Sequence, residues 1–199
     1  MNTMSIRLAG AILSCLSMGL ASSGSAFAQA SAASPAASAA KLNAADTAFL
    51  KQAAEAGLAE VEAGTLAADK GVNTQVKGFA HQMVDDHTKM HADLRALAGS
   101  KGVRLPIEPS LGQRTRIRLL SASDGGSFDR KYADAIAVKL HEDALKLFQK
   151  AATGASDADV KAFAAKALPA LQQHLQTAHE LKSVVDKEGN VKARGNVKQ

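Results

Sequence analysis

The stretch Asn73–Gly99, NTQVKGFAHQMVDDHTKMHADLRALAG, decides the fold. Val76, Phe79, Met83, His87, Met90, Leu94 and Leu97 recur at steps of three and four, which stacks them on one face of a helix and predicts packing against other helices. His87 falls in the middle of that seam. An ionisable ring where a helical core wants Leu must find a polar partner or cost stability, so His87 is the first candidate functional residue.

Upstream, Asn43 is placed to cap a helix with Asp46 in its first turn, and Gly71 closes it after Lys70. One stripe of this helix is Phe49, Ala53, Ala56, Glu60, Ala63 and Ala67; a second is Leu50, Ala54, Leu58 and Val61. The many alanines permit close approach of a neighbour. Asn73 caps the next helix after a very short connection, which predicts an antiparallel pair.

Downstream, Ser100–Gly112 carries Pro106 and Pro109 and reads as the longest connection. Gln113–Ala122 is a short basic amphipathic piece of one or two turns, followed by the breaker SDGGS at residues 123–127. Phe128–Ala152 reads as a third long helix with Phe128, Ala135, Val138, Leu145 and Phe148 inward and His141 beside that stripe. Ser156 or Asp157 caps a fourth, whose seam is Val160, Ala164, Ala167, Leu171, His174, Ala178, Leu181 and Val185. Pro169 is expected to kink it, freeing the carbonyl near Ala165. No period-two alternation occurs. The reading is all-α: an up-down-up-down four-helix bundle over residues 41–187, with a short extra helix in the middle crossover.

The ends suggest a compartment. Arg7, the apolar run Leu8–Leu20 and Ala26-Phe27-Ala28 have the form of a secretory signal peptide over residues 1–28. A low-complexity Ala/Ser/Pro linker, 29–40, and a basic tail, 188–199, read as disordered. No segment offers the ~20 apolar residues of a membrane-spanning helix. The expected location is periplasmic or secreted, with outer-membrane association left open. Cys15, the only cysteine, lies inside the signal, so the mature chain forms no disulfide; lipidation at Cys15 is the alternative, against which Leu13 stands. Losing Arg7 leaves 23 basic against 19 acidic residues, a balance that favours weak electrostatic contact with anionic envelope components. Nucleic acid is disfavoured as a partner by the lack of a basic patch interleaved with aromatics.

The chain resembles the exported bacterial family called domain of unknown function 4142, grouped with ferritin-like bundles. The residues that carry the resemblance are D-x-x-F-L-x-x-A at Asp46–Ala53, V-K-x-F-A-x-x-M-V-x-D-H at Val76–His87, S-F-D-x-x-Y at Ser127–Tyr132, and L-P-x-L-x-x-H at Leu168–His174. The resemblance implies a fold and an envelope location, and no activity.

Ferritin-like di-iron sites need Glu-x-x-His on two helices, because carboxylates bridge two irons and imidazole completes each shell. Val84 and Leu171 stand where those glutamates would be, which argues against such a site. A looser metal constellation remains: Glu60, His87, His141 with Glu142, and His174, one ionisable position near the middle of each helix. Counted from the turns, Glu60 and His87 differ by about four residues, ~6 Å, and His141 and His174 by about six, ~9 Å. Met83, Met90 and His91 beside His87 would suit a soft ion such as copper(I), although Met on a seam is usually core. Otherwise these groups form a buried polar layer that fixes helix register. Asp85, Asp86, Lys89 and Asp93 read as a solvated face, Asp129 as a cap of its own helix, and Tyr132 as hydrogen-bonded to a nearby carboxylate or imidazole.

No hydrolase triad, phosphate loop or nucleotide fingerprint is present, and no catalytic residue stands out. The sequence favours a non-enzymatic envelope protein acting through its surface, in stress tolerance or envelope contacts. The alternative is a metal-binding or redox bundle that takes a transition-metal ion at the His/Glu layer.

Overall fold

The computed structural model describes the backbone over residues 41–195 and side chains up to residue 191. The expected signal peptide and linker, 1–28 and 29–40, lie outside the described residues. Helix α1, Ala44–Lys70, starts where the Asn43 side chain accepts from the Asp46 N–H at 2.7 Å. It stops at Gly71, whose N–H bonds the Ala67 carbonyl at 3.0 Å. A Cβ there would stand 2.6 Å from that same oxygen, so the tight exit admits only glycine. Helix α2, Thr74–Ser100, begins directly afterwards, with the Asn73 carboxamide accepting from the Gln75 and Val76 N–H groups.

Helix α3, Leu111–Ser121, is set by a capping box between Ser110 and Gln113 and packs against α1 through Ile117 and Leu120. It starts two residues earlier than the sequence reading and runs three turns. The third long arm is composite: α4, Gly125–Lys131, a π-helical stretch Tyr132–Val138, and α5, Lys139–Gly154. Helix α6, Ala158–Gly195, begins where Asp157 Oδ1 accepts from the Asp159 and Val160 N–H groups, each at 3.0 Å. Among the described residues there is no strand, and the fold is all-α.

Three expectations change. The π-helical stretch slips the inward stripe of the third arm, so Ala135 is half-buried while Ile136, Ala137 and His141 are fully covered. The expected disorder from residue 188 gives way to helix as far as Gly195, with Asn73 donating to both Glu188 oxygens at 3.0 Å. Asp129 does not cap its own helix. Its oxygens instead accept from Val72 N–H at 3.1 Å and Asn73 N–H at 2.8 Å, in the α1–α2 turn. Asp46 does the same for the other turn, accepting from Ser156 N–H at 3.1 Å and Asp157 N–H at 2.8 Å.

All eight residues of the α6 seam are buried, as are most of those on α2. Alanines and Gly64 let α1 lie close on α2: a Cβ on Gly64 would meet Val84 Cγ2 at 3.0 Å. The core is in two apolar halves. One gathers Val76, Phe79, Met83, Phe128, Ile136 and Leu181; the other gathers Phe49, Leu50, Leu94, Phe148, Val160 and Leu171. Each large aliphatic or aromatic side chain so buried contributes about 1.5–3 kcal/mol, which lets the fold carry a polar layer at its middle. That layer holds Glu60, His87, His141 and His174, each at most 3% exposed.

Candidate metal centre

Three helices deliver one imidazole each: His87 from α2, His141 from α5 and His174 from α6. Their ring centroids form a near-equilateral triangle with sides of 5.4, 5.5 and 5.5 Å. One ligand nitrogen from each lies within 4.8 Å of the others. The closest pair is His87 Nε2 and His141 Nε2, at 3.3 Å.

Outer contacts fix the rings. His141 Nδ1–H donates to the Ala137 carbonyl at 2.9 Å, so Nε2, on the side facing His87, keeps its lone pair. The Ala137 carbonyl is supplied by the π-helical stretch, where the backbone pattern changes one turn before His141. His174 Nε2–H donates to Asp86 Oδ2 at 3.1 Å, and its Nδ1 is buried without a hydrogen-bond partner among the described residues. In each of these two rings one nitrogen is thus held by an acceptor while the other retains its lone pair, the pattern that orients metal-binding histidines.

Burial lowers the pKa of all three. His87 falls well below the ordinary range through burial and then through the charges His141 and His174 would carry. Burial, followed by the same repulsion from His174, takes His141 down to about 3 against the opposing pull of its Ala137 bond. Burial also lowers His174, opposed by Asp86. Neutral imidazole is the ligand form, so these shifts favour coordination over protonation.

Of the residues singled out from sequence, His87, His141 and His174 come together. Glu60 lies behind His141, its Oε1 3.5 Å from Nδ1, and neither carboxylate oxygen has a hydrogen-bond partner among the described residues. Burial pushes the Glu60 carboxyl up and the His141 ring down, so the contact is between groups whose shifts both oppose an ion pair. Glu142 turns away to Lys139 at 2.9 Å. The expected ~9 Å offset between His141 and His174 shrinks because α5 runs to Gly154 and α6 begins at Ala158. His141 is thirteen residues before the first and His174 sixteen after the second, a difference of only ~4.5 Å.

Asp86 was missed. It read as part of a solvated face, yet it immediately precedes His87 in the motif ending D-H, and that adjacency was the available signal. Tyr132 is fully buried, stacked on Phe128 at 6.4 Å, and its hydroxyl has no partner among the described residues, contrary to expectation. Burial and then Glu60 raise its pKa. Met83 is core, while Met90 and His91 line a cleft that reaches His87 and Glu60. Its free volume of about 10 Å³ is room for a single water.

The sequence profile of a family described as "Domain of unknown function (DUF4142)" matches residues 31–181. Among solved structures, a crystal structure of a DUF305 fragment from Deinococcus radiodurans superposes with a TM-score of 0.62 at 12% identity, covering 74% of this chain and 99% of that one. At that identity the likeness concerns the fold. No curated protein matches in sequence.

Proposed function

The chain belongs to the DUF4142 family, and on that premise we propose that its buried histidine triangle binds a single first-row divalent metal ion, zinc being the simplest occupant. The observation that carries this is the 3.3 Å between His87 Nε2 and His141 Nε2. Two ligands at 2.0–2.1 Å from zinc and at a tetrahedral angle stand about 3.4 Å apart. Three neutral imidazoles suit zinc and its neighbours and leave a fourth position free, whereas magnesium and calcium want oxygen. An ion would bring two positive charges into the core. Asp86, bonded to His174, offers a compensating carboxylate behind one of the ligands, which supports the assignment.

A second reading is a polar layer that sets helix register without metal. It is favoured by the bonds that His141 and His174 already make with Ala137 and Asp86. Export and action in the cell envelope form the setting for either reading, resting on Arg7, the run Leu8–Leu20 and Ala26-Phe27-Ala28.

The test is elemental analysis of untagged protein, followed by titration of stripped protein with zinc(II) and cobalt(II). One equivalent bound, with the intense visible bands of tetrahedral cobalt, is expected. Substoichiometric iron, copper, zinc and manganese together with no titratable binding would leave the register layer as the function of these residues.

A further inference from the structure

Among the described residues the large apolar side chains most open to solvent are few, and three lie between residues 107 and 119: Ile107, 89% exposed, Leu111, 71%, and Leu119, 68%. On α3, Leu111 and Leu119 are eight positions apart, so both share the outer face with Arg118, and Arg114 flanks it. Ile117 and Leu120 hold the opposite face on the core. The helix is therefore amphipathic in the usual sense toward the bundle, and carries a second apolar set toward solvent. Residues 104–118 contain four arginines and a single acid, Glu108, which pairs with Arg114. Arg104, Arg116 and Arg118 make no ion pair among the described residues.

We propose that the outer face of α3 is a docking surface for the anionic headgroup region of a lipid bilayer. Leu111, Leu119 and the preceding Ile107 would enter the boundary between headgroups and acyl chains, while the arginines reach phosphates and lay their stems along the apolar surface. The chemistry chooses against a second copy of this chain. A two-fold contact on this face would set Arg114 and Arg118 against their own equivalents, which like-charge repulsion penalises. Because Ile117 and Leu120 hold the opposite face of α3 on the core, the helix would lie in the membrane plane with the bundle above it. This surface is independent of the histidine triangle.

Cosedimentation tests it, with vesicles of mixed phosphatidylglycerol and phosphatidylcholine and vesicles of phosphatidylcholine alone, at low and high salt. The full chain and a form beginning at Gln29 are both used, since the apolar run Leu8–Leu20 would bind bilayers unaided. Binding is expected to the anionic vesicles and to weaken with salt. Arg114→Gln with Arg118→Gln should lower it roughly thirtyfold and flatten the salt dependence. Leu111→Ser with Leu119→Ser should lower it by a similar factor while circular dichroism and melting stay unchanged, since both side chains are exposed. Equal binding to neutral vesicles, no binding by the Gln29 form, or indifference to both double variants overturns the proposal. So does concentration-dependent dimerisation lost in the leucine variant, which would give the face to a second copy.

Discussion

His87 and His141 meet Nε2 to Nε2 at 3.3 Å, and the bond from His141 Nδ1–H to Ala137 leaves His141 Nε2 as a lone pair at that meeting. His87 can then donate a single hydrogen bond across the gap, or both nitrogens can face one cation. The first arrangement is worth about 0.5–1.5 kcal/mol. The second is worth whatever the ion's affinity supplies.

The pair therefore predicts a metal-dependent melting point. At zinc about 100-fold above its dissociation constant the folded state gains about 2.7 kcal/mol, or roughly 5–10 °C for a domain of this size. His87→Leu should keep the fold, with a metal-free melting point equal to or above the wild type, and lose the zinc response. Calorimetry with and without zinc checks it. An equal shift in both proteins would place the ion elsewhere.

Acid should destabilise the metal-free protein. In the fold the three histidines resist protonation, His141 down to about 3, whereas in the unfolded chain they protonate near 6.5. Below that value the unfolded state binds more protons, so stability is full above about pH 6.5 and is lost as pH falls. The slope is about 1.4 kcal/mol per pH unit for each histidine that protonates only in the unfolded chain. Urea unfolding between about pH 7 and pH 4 measures it. His141→Leu should flatten the slope by about one proton.

Glu60 works in the opposite direction. Its folded pKa is raised by burial, so above the ordinary carboxylate range the unfolded chain releases a proton that the native state keeps. The stability this gives is complete at low pH and falls as pH rises through the folded pKa. Glu60→Gln, which cannot ionise, should therefore gain on the wild type as pH rises above the ordinary carboxylate range. Parallel pH profiles of the two proteins would show that Glu60 ionises in the fold after all.

The buried carboxylates at the turns give a test of packing. Asp46→Ala strands the Ser156 and Asp157 N–H groups, and Asp129→Ala strands those of Val72 and Asn73. Each should cost about 1–3 kcal/mol in denaturant titrations. Asp46 is near the start of α1 and the Asp129 partners just past its end, so the losses should add within about 0.5 kcal/mol.

The seams of α2 and α6 were legible because one apolar face at steps of three and four leaves little choice about what is buried, and His87 and His174 were visible as interruptions of it. His141 was harder. The π-helical stretch shifts the phase of the third arm, and a reading at constant helical pitch set His141 beside the stripe rather than in it. Asp86, Asp46 and Asp129 bond partners 88, 110 or 111, and 56 or 57 residues away. Helical periodicity carries no information about such pairings, so a carboxylate bonded across the fold and a solvated one looked alike. Glu142 was grouped with the site by adjacency to His141, but consecutive residues on a helix point about 100° apart.

Asp46 sits on α1 yet closes the turn between α5 and α6, and Asp129 sits on the third arm yet closes the turn between α1 and α2. Neither pair of helices contains the acceptor that its own connection requires. During synthesis the first pair waits with its turn incomplete until residue 129 has been made, and the second stays open until it finds α1. Folding is thereby expected to be a single all-or-none event, in which the late half of the chain validates the early one. A chain cut once in the connection at residues 101–110 should give two pieces that are poorly ordered apart and gain helix together on mixing, one completing the other.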